Sequence, residues 1–270
     1  YENVQLIPHR NRNDILHATK DGQKCFIKKL NPTSGSERSV GKKINIESAC
    51  YENLPKDILI NVVEINKNDG YIALDRVEFD EIEGNEQYIE TLTDVELNIF
   101  PGIDASFLPE TTWEDYEKLF IKLKKLEEAK IIENADAIIQ IFESKKGLIE
   151  NAKKIFSQQD FSRSNIKKVN GQLKIFDFEE PRQDNAMADM ATMSIDLRDS
   201  GILAAVYKEK IQAHESYNEE LFNLMTAKRA AAVMYARIYA RRDEIESTGT
   251  SPFVQNNVDA FHEAVDKLAA

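Results

Sequence analysis

The chain has 270 residues, 42% of them hydrophobic and 30% charged, with 47 Asp and Glu against 35 Lys and Arg for a net charge of −12. That length can bury a core in one or two domains, and the net acidity argues against a nucleic-acid partner, because a polyanion is repelled. No apolar run approaches the roughly 20 residues of a membrane span, and the opening YENVQLIPHR lacks the apolar centre of a signal peptide. Cys25 and Cys50 are the only thiols and are expected to stay reduced, which points to the cytoplasm.

The first 80 residues read as strand-rich and carry equal numbers of acidic and basic residues, so the whole net charge falls on the remainder. Ile15 to Thr19 and Lys24 to Leu30 are β-like runs around Asp21-Gly22, a two-residue hairpin turn. INIESACYENL follows as a helix, with Ile46, Ala49, Cys50 and Leu54 on one face and Pro55 as its stop. ILINVVEIN and GYIALDRVEF then read as two strands joined by the turn at Lys67-Asn68-Asp69-Gly70. Short connections make these pairings antiparallel. From Glu81 to Glu110, Pro101, Gly102 and Pro109 suggest an irregular connection long enough to have its own task.

Beyond residue 110 the pattern turns helical. Thr111 or Thr112, with Glu114 or Asp115, forms a capping box ahead of the stripe Tyr116, Leu119, Phe120, Leu123 and Leu126. A second helical stretch is expected from Glu133 to Phe156, weakened near Gly147. IKKV and LKIFDF then flank Asn170-Gly171, another hairpin signal, and helices return after Pro181. The basic stretch AKRAAAVMYARIYARR reads as a packed helix rather than a membrane or nucleic-acid binder. The expected fold class is α+β: a small antiparallel-sheet lobe over residues 1–78 and a larger helical lobe over 79–270, with the hairpin inserted in the latter.

Three polar residues bracket that hairpin. Asp160 opens the turn-rich DFSRSN, Asn165 ends it, and Asp177 closes the second strand. Each alone is an ordinary turn or capping residue. Together they are more specific, because an antiparallel hairpin makes Asn165 and Asp177 neighbours. A carboxylate and an amide oxygen side by side suit Mg²⁺ shared with phosphates. Asp160 is then left to orient a hydroxyl or take its proton. The four histidines, His9, His17, His214 and His262, show no metal-ligand spacing, and no Gly-x-Ser-x-Gly elbow or Walker lysine loop is present.

In these motifs the chain resembles the aminoglycoside phosphotransferase and choline kinase group, small-molecule kinases with a protein-kinase-like fold. DFSRSN is similar to the family's catalytic loop and IFDFEE to its metal-binding strand end. MADMA at 187–191 is similar to a later element whose acid, here Asp189, is structural. CFIKKL resembles the strand bearing the nucleotide lysine, IESACYENL the helix with its glutamate partner, and YIALDRVE the strand leading to the adenine hinge. The resemblance implies that Lys28 holds the phosphates and is fixed by Glu47. It also implies that Asp75, Arg76 and Val77 meet the adenine, that Asn165 and Asp177 ligate Mg²⁺, and that Asp160 is the catalytic base. Strand alternation puts Lys28 on one face with Phe26 and Lys29 on the other.

The implied activity is transfer of the γ-phosphoryl group of ATP or GTP to a hydroxyl of a small molecule. The acidic second lobe suits a cationic acceptor. Two departures, Gln158 where the family commonly has His and the glycine-free PHRNRND loop, point to the alternative of a catalytically weak, kinase-like nucleotide-binding or scaffold protein. In that loop Arg10, Asn11, Arg12 and Asn13 are the remaining phosphate donors. A protein kinase is disfavoured, since no activation segment ending in Ala-Pro-Glu follows Asp177.

Overall fold

Asp21-Gly22 and Asn170-Gly171 do what their residue types allow: all four have positive φ, the left-handed backbone that a two-residue hairpin loop needs. The computed structural model describes residues 1–7, 13–31, 37–80, 86–178, 180–239 and 252–270. They form two units, residues 1–83 with 163–181, and residues 84–162 with 182–270. The proposed phosphate donors Arg10, Asn11 and Arg12 lie outside the described residues.

In the first unit β1 (Glu2–Ile7), β2 (Asp14–Lys20), β3 (Gln23–Lys29), β4 (Val62–Asn66) and β5 (Tyr71–Asp75) form an antiparallel sheet ordered β1-β2-β3-β5-β4. Helix α1 (Glu37–Asn53) connects β3 to the β4–β5 hairpin. Period-two alternation sorts the faces. Ala18, Cys25, Ile27 and Ala73 are buried together on one face, while Lys28, opposite Ile72 in the register, projects from the other. β1 is not legible in the sequence. As an edge strand with Val4 and Leu6 exposed, it shows no buried face to generate alternation.

The later hairpin, β7 (Ile166–Val169) and β8 (Gln172–Ile175), groups with this first unit rather than with the helical residues around it in sequence. Backbone bridges pair Leu59 with Ile175 and Asp80 with Lys168, and the Lys174 ammonium donates to the Asp57 carbonyl at 2.6 Å. Such contacts join segments far apart in sequence, Lys174 and Asp57 by 117 positions, which local pattern cannot reveal.

The second unit is mainly helical. Helix α2 (Glu86–Asp94) continues through a π-helical turn (Val95–Ile99), so part of the expected irregular connection is helix. Tyr88, Ile89, Leu92 and Val95 are buried at helical spacing, an apolar face that outweighs Pro101 and Gly102 further on. Helix α3 (Trp113–Glu128) starts with the expected box, the Thr112 N–H donating to Asp115 Oδ2 at 3.1 Å. Tyr116, Leu119, Leu123 and Leu126 are buried as its stripe predicts.

The expected helix from Glu133 to Phe156 is corrected. Helices α4 (Ala135–Ser144) and α5 (Lys146–Asn151) stop short of β6 (Lys154–Ser157), which pairs antiparallel with β9 (Arg182–Asn185). KIFS is too short for periodicity to separate strand from helix, and its partner RQDN is polar, so only pairing across the fold decides. Helices α6 (Met187–Asp196), α7 (Ile202–Gln212), α8 (Glu219–Met234) and α9 (Pro252–Ala269) follow. The AKRAAAV stretch lies in α8, where Leu224, Met225, Ala227, Ala230, Ala231 and Met234 are buried, as expected for a packed helix. Among the described residues no helix is long and apolar enough to cross a membrane.

Candidate active site

In the first unit the end of β3 faces α1. The Lys28 ammonium donates to both carboxylate oxygens of Glu47, at 3.1 and 3.0 Å, and also to Asp177 Oδ1. Lys28 and Asp177 thus meet although 149 positions apart in sequence. Glu47 is 1% exposed, so its charge needs that partner. Lys29, the competing lysine, is exposed.

Asp177 is held out from the chain by its neighbours. Phe178 is wholly buried with its ring edge-on to Tyr51 at 5.4 Å, and Phe176 stacks on Phe79 at 5.9 Å. Between these two anchors Asp177 adopts φ +66°, a left-handed backbone that an Asp tolerates but does not prefer. The Phe176 N–H donates to the Asn165 carbonyl at 3.2 Å, so the two ends of the hairpin are neighbours as the turn predicts.

Asn165 and Asp177 offer an amide and a carboxylate oxygen, the hard donors Mg²⁺ takes. Among the described residues no three His, Cys, Asp or Glu converge on one point. An ion held by these two alone would need further oxygens, from phosphate or water, to complete its shell. The Asp177 carboxylate is paired with the Lys28 ammonium. Asp75 is half-buried and Arg76 exposed. Their N–H groups donate to the Asn61 and Lys24 carbonyls, and the Asp75 carboxylate accepts from Gln23 and Asn61.

Asp160 belongs to the second unit and follows β6 by three residues. Its loop is tied down on several sides. Asp189 on α6 accepts the Gln158 and Gln159 N–H groups at 2.8 and 3.0 Å, the structural role its motif implies. Burial pushes the Asp189 carboxyl up to about 7, against the pull of those hydrogen bonds. Phe161, next to Asp160, is wholly buried against Phe100 at 5.3 Å. Gln159 has φ +66°, and its side-chain amide donates to Ser157 Oγ and to Asp184 Oδ2, at 2.9 and 3.1 Å.

Asp184 is fully buried and is the centre of a network that sequence reasoning missed. It accepts from Lys228 on α8 at 2.9 Å and from Thr111 at 3.0 Å. Burial pushes its carboxyl up, but the Lys228 ammonium and the Asn185 N–H outweigh that and hold it below the ordinary value. The next residue, Arg229, pairs with Asp160 itself. The available signal was two adjacent cations in a helix apolar nearly all round, where buried charge must find a partner. Lys228→Met is expected to lower the unfolding free energy by about 3–5 kcal/mol, because Asp184 is left charged and buried. Urea unfolding checks this, and an unchanged midpoint would show that Asp184 does not depend on Lys228.

No family model matches the sequence, and no curated protein matches it. Solved structures do. A thermostable mutant of aminoglycoside phosphotransferase APH(4)-Ia, in ternary complex with AMP-PNP and hygromycin B, superposes with a TM-score of 0.70 at 11% identity, covering 99% of this chain and 94% of that one. Choline kinase LicA from Streptococcus pneumoniae gives 0.61 at 11% identity, covering 99% and 93%. A putative fructosamine-3-kinase from Haemophilus somnus 129PT gives 0.62 at 14% identity, covering 100% and 92%. The five-stranded antiparallel sheet and the mainly helical remainder are thus those of the protein-kinase-like fold that these aminoglycoside, choline and fructosamine kinase structures share.

Proposed function

We propose that this protein is a Mg²⁺-dependent phosphotransferase that moves the γ-phosphoryl group of ATP or GTP to a hydroxyl of a small molecule. The observation that carries this reading is the Lys28 ammonium bound by both Glu47 and Asp177. In phosphoryl transfer, catalysis is chiefly positioning and charge neutralisation, and such a cluster supplies both. Lys28 would orient the phosphates, with Glu47 fixing it. Asn165 and Asp177 would hold Mg²⁺, which neutralises the phosphate oxygens. Asp160 would meet the acceptor hydroxyl. Nucleotide and small-molecule complexes of structural neighbours, AMP with LicA and ADP with spectinomycin in a spectinomycin phosphotransferase, support the same substrate classes.

Two carboxylates on one ammonium leave the cluster net negative, so a bare triphosphate is disfavoured and one carrying a divalent cation is not. ATP is therefore expected to raise the melting temperature in Mg²⁺ and to leave it unchanged in EDTA. Equal shifts in both would count against the metal assignment. The acceptor is read as a small alcohol bearing an amine, from the acidic excess beyond residue 80. A kinase-shaped binding protein is the second reading. It is favoured by Gln158, a buried residue where the family commonly has His, and would appear as MgATP binding with no turnover against any acceptor.

A further inference from the structure

Lys228 and Arg229 are consecutive on α8, yet each meets a different acid. Lys228 turns inward to the buried Asp184, while the Arg229 guanidinium reaches the loop that carries Asp160. Two groups of that guanidinium are engaged there. One nitrogen donates to Asp160 Oδ1, and the other donates to the Gln159 carbonyl at 3.3 Å. A planar guanidinium holding a carboxylate and the preceding carbonyl together restricts both the side-chain torsions of Asp160 and the peptide behind it.

The peptide in question is the unusual one. Gln159 has φ +66°, a conformation a non-glycine residue keeps only when its surroundings impose it. Asp189 holds its N–H, Asp184 and Ser157 hold its side chain, and Arg229 holds its carbonyl. Asp189, Asp184 and Ser157 do not contact the Asp160 carboxylate through any of these bonds. Arg229 joins the frame to the carboxylate. The Asp160 side chain is 56% exposed and that of Arg229 28%, and an ion pair this open adds little to stability. Its effect is therefore sought in orientation.

We propose that Arg229 is a positioning residue for Asp160. Through its bonds to Oδ1 and to the preceding carbonyl it fixes the orientation of the Asp160 carboxylate relative to the acceptor hydroxyl. The proposal rests on the reading of Asp160 as the group that meets that hydroxyl. It also gives α8 a second task beside packing: the helix that stabilises the unit through Lys228 aims the catalytic loop through Arg229.

The test uses hydrolysis of MgATP to ADP and phosphate, with water as the acceptor, so that no acceptor need be known. Arg229→Gln is expected to lower kcat roughly 10- to 100-fold, the scale of a misplaced catalytic group, with KM for MgATP and the melting temperature unchanged. Arg229→Lys is expected to recover part of the rate, because an ammonium keeps the charge but not the two-pronged geometry. A second readout needs no turnover. In protein labelled with ¹³C at Asp carboxyls, the Asp160 signal, identified by its loss in Asp160→Asn, is expected to be single in the parent and broadened or multiple in Arg229→Gln.

An unchanged or raised kcat in Arg229→Gln, or a fall matched by loss of folded protein, overturns the proposal. If Asp160→Ala is inactive while Arg229→Gln is fully active, this inference fails and the proposed function stands. If Asp160→Ala keeps full activity, both fall. Should the parent protein hydrolyse no MgATP, the carboxyl signal alone decides, and an unaltered signal overturns the proposal.

Discussion

Asp160→Ala is expected to abolish most phosphoryl transfer while leaving MgATP affinity near that of the parent protein. The separation follows from where the residues lie. Lys28, Glu47, Asn165 and Asp177 belong to the first unit, whereas Asp160 belongs to the second and is tied to Arg229 on α8. A group that orients or deprotonates the acceptor acts on the transition state, and such contributions run to about 10² to 10⁴ in rate. Parallel measurements of nucleotide binding and turnover check it. A variant that turns over normally would remove Asp160 from the chemistry, and one that no longer binds nucleotide would move it to the phosphate side.

The second large effect is expected at Asp177. Asp177→Asn removes one of the two carboxylates on Lys28, so the cluster loses both its anionic metal ligand and its net negative charge. Mg²⁺-dependent stabilisation by ATP should disappear, and binding of metal-free ATP should strengthen, because the repulsion that demanded the ion is gone. Turnover should fall with the metal. Asp189→Asn makes the contrast. It leaves one buried backbone N–H without an acceptor, a cost of about 1–3 kcal/mol, and should lower the unfolding midpoint while sparing the Mg²⁺ dependence of binding. A variant of Asp177 that keeps the parent's Mg²⁺ requirement would sink the metal-site reading.

Much of the site was legible because its signals are local. Asp21-Gly22 and Asn170-Gly171 name their turns, since few residue pairs tolerate left-handed backbone. The capping box at Thr112 names a helix start for a similar reason, a side chain satisfying particular backbone donors. Alternation along CFIKKL chose Lys28 over Lys29, and Lys28 is the lysine bound by Glu47.

What local pattern lacked was any pairing between distant segments. KIFS became a strand because RQDN lies beside it, and RQDN has no strand signal of its own. The hairpin joined the first unit through bridges at Leu59 and Asp80, residues far away in sequence. α2 stood behind a Pro and Gly signal that in fact marks its far end. The Lys228–Asp184 and Arg229–Asp160 pairs were invisible for the same reason, although two cations inside an apolar helix announced that partners must exist.

By itself, then, the sequence determined the turns, the amphipathic faces and the polar residues of the candidate site, because those follow from backbone sterics and side-chain chemistry within a few residues. The tertiary structure alone decided which acid each cation meets, since burial and long-range strand pairing bring together charges that no local spacing relates.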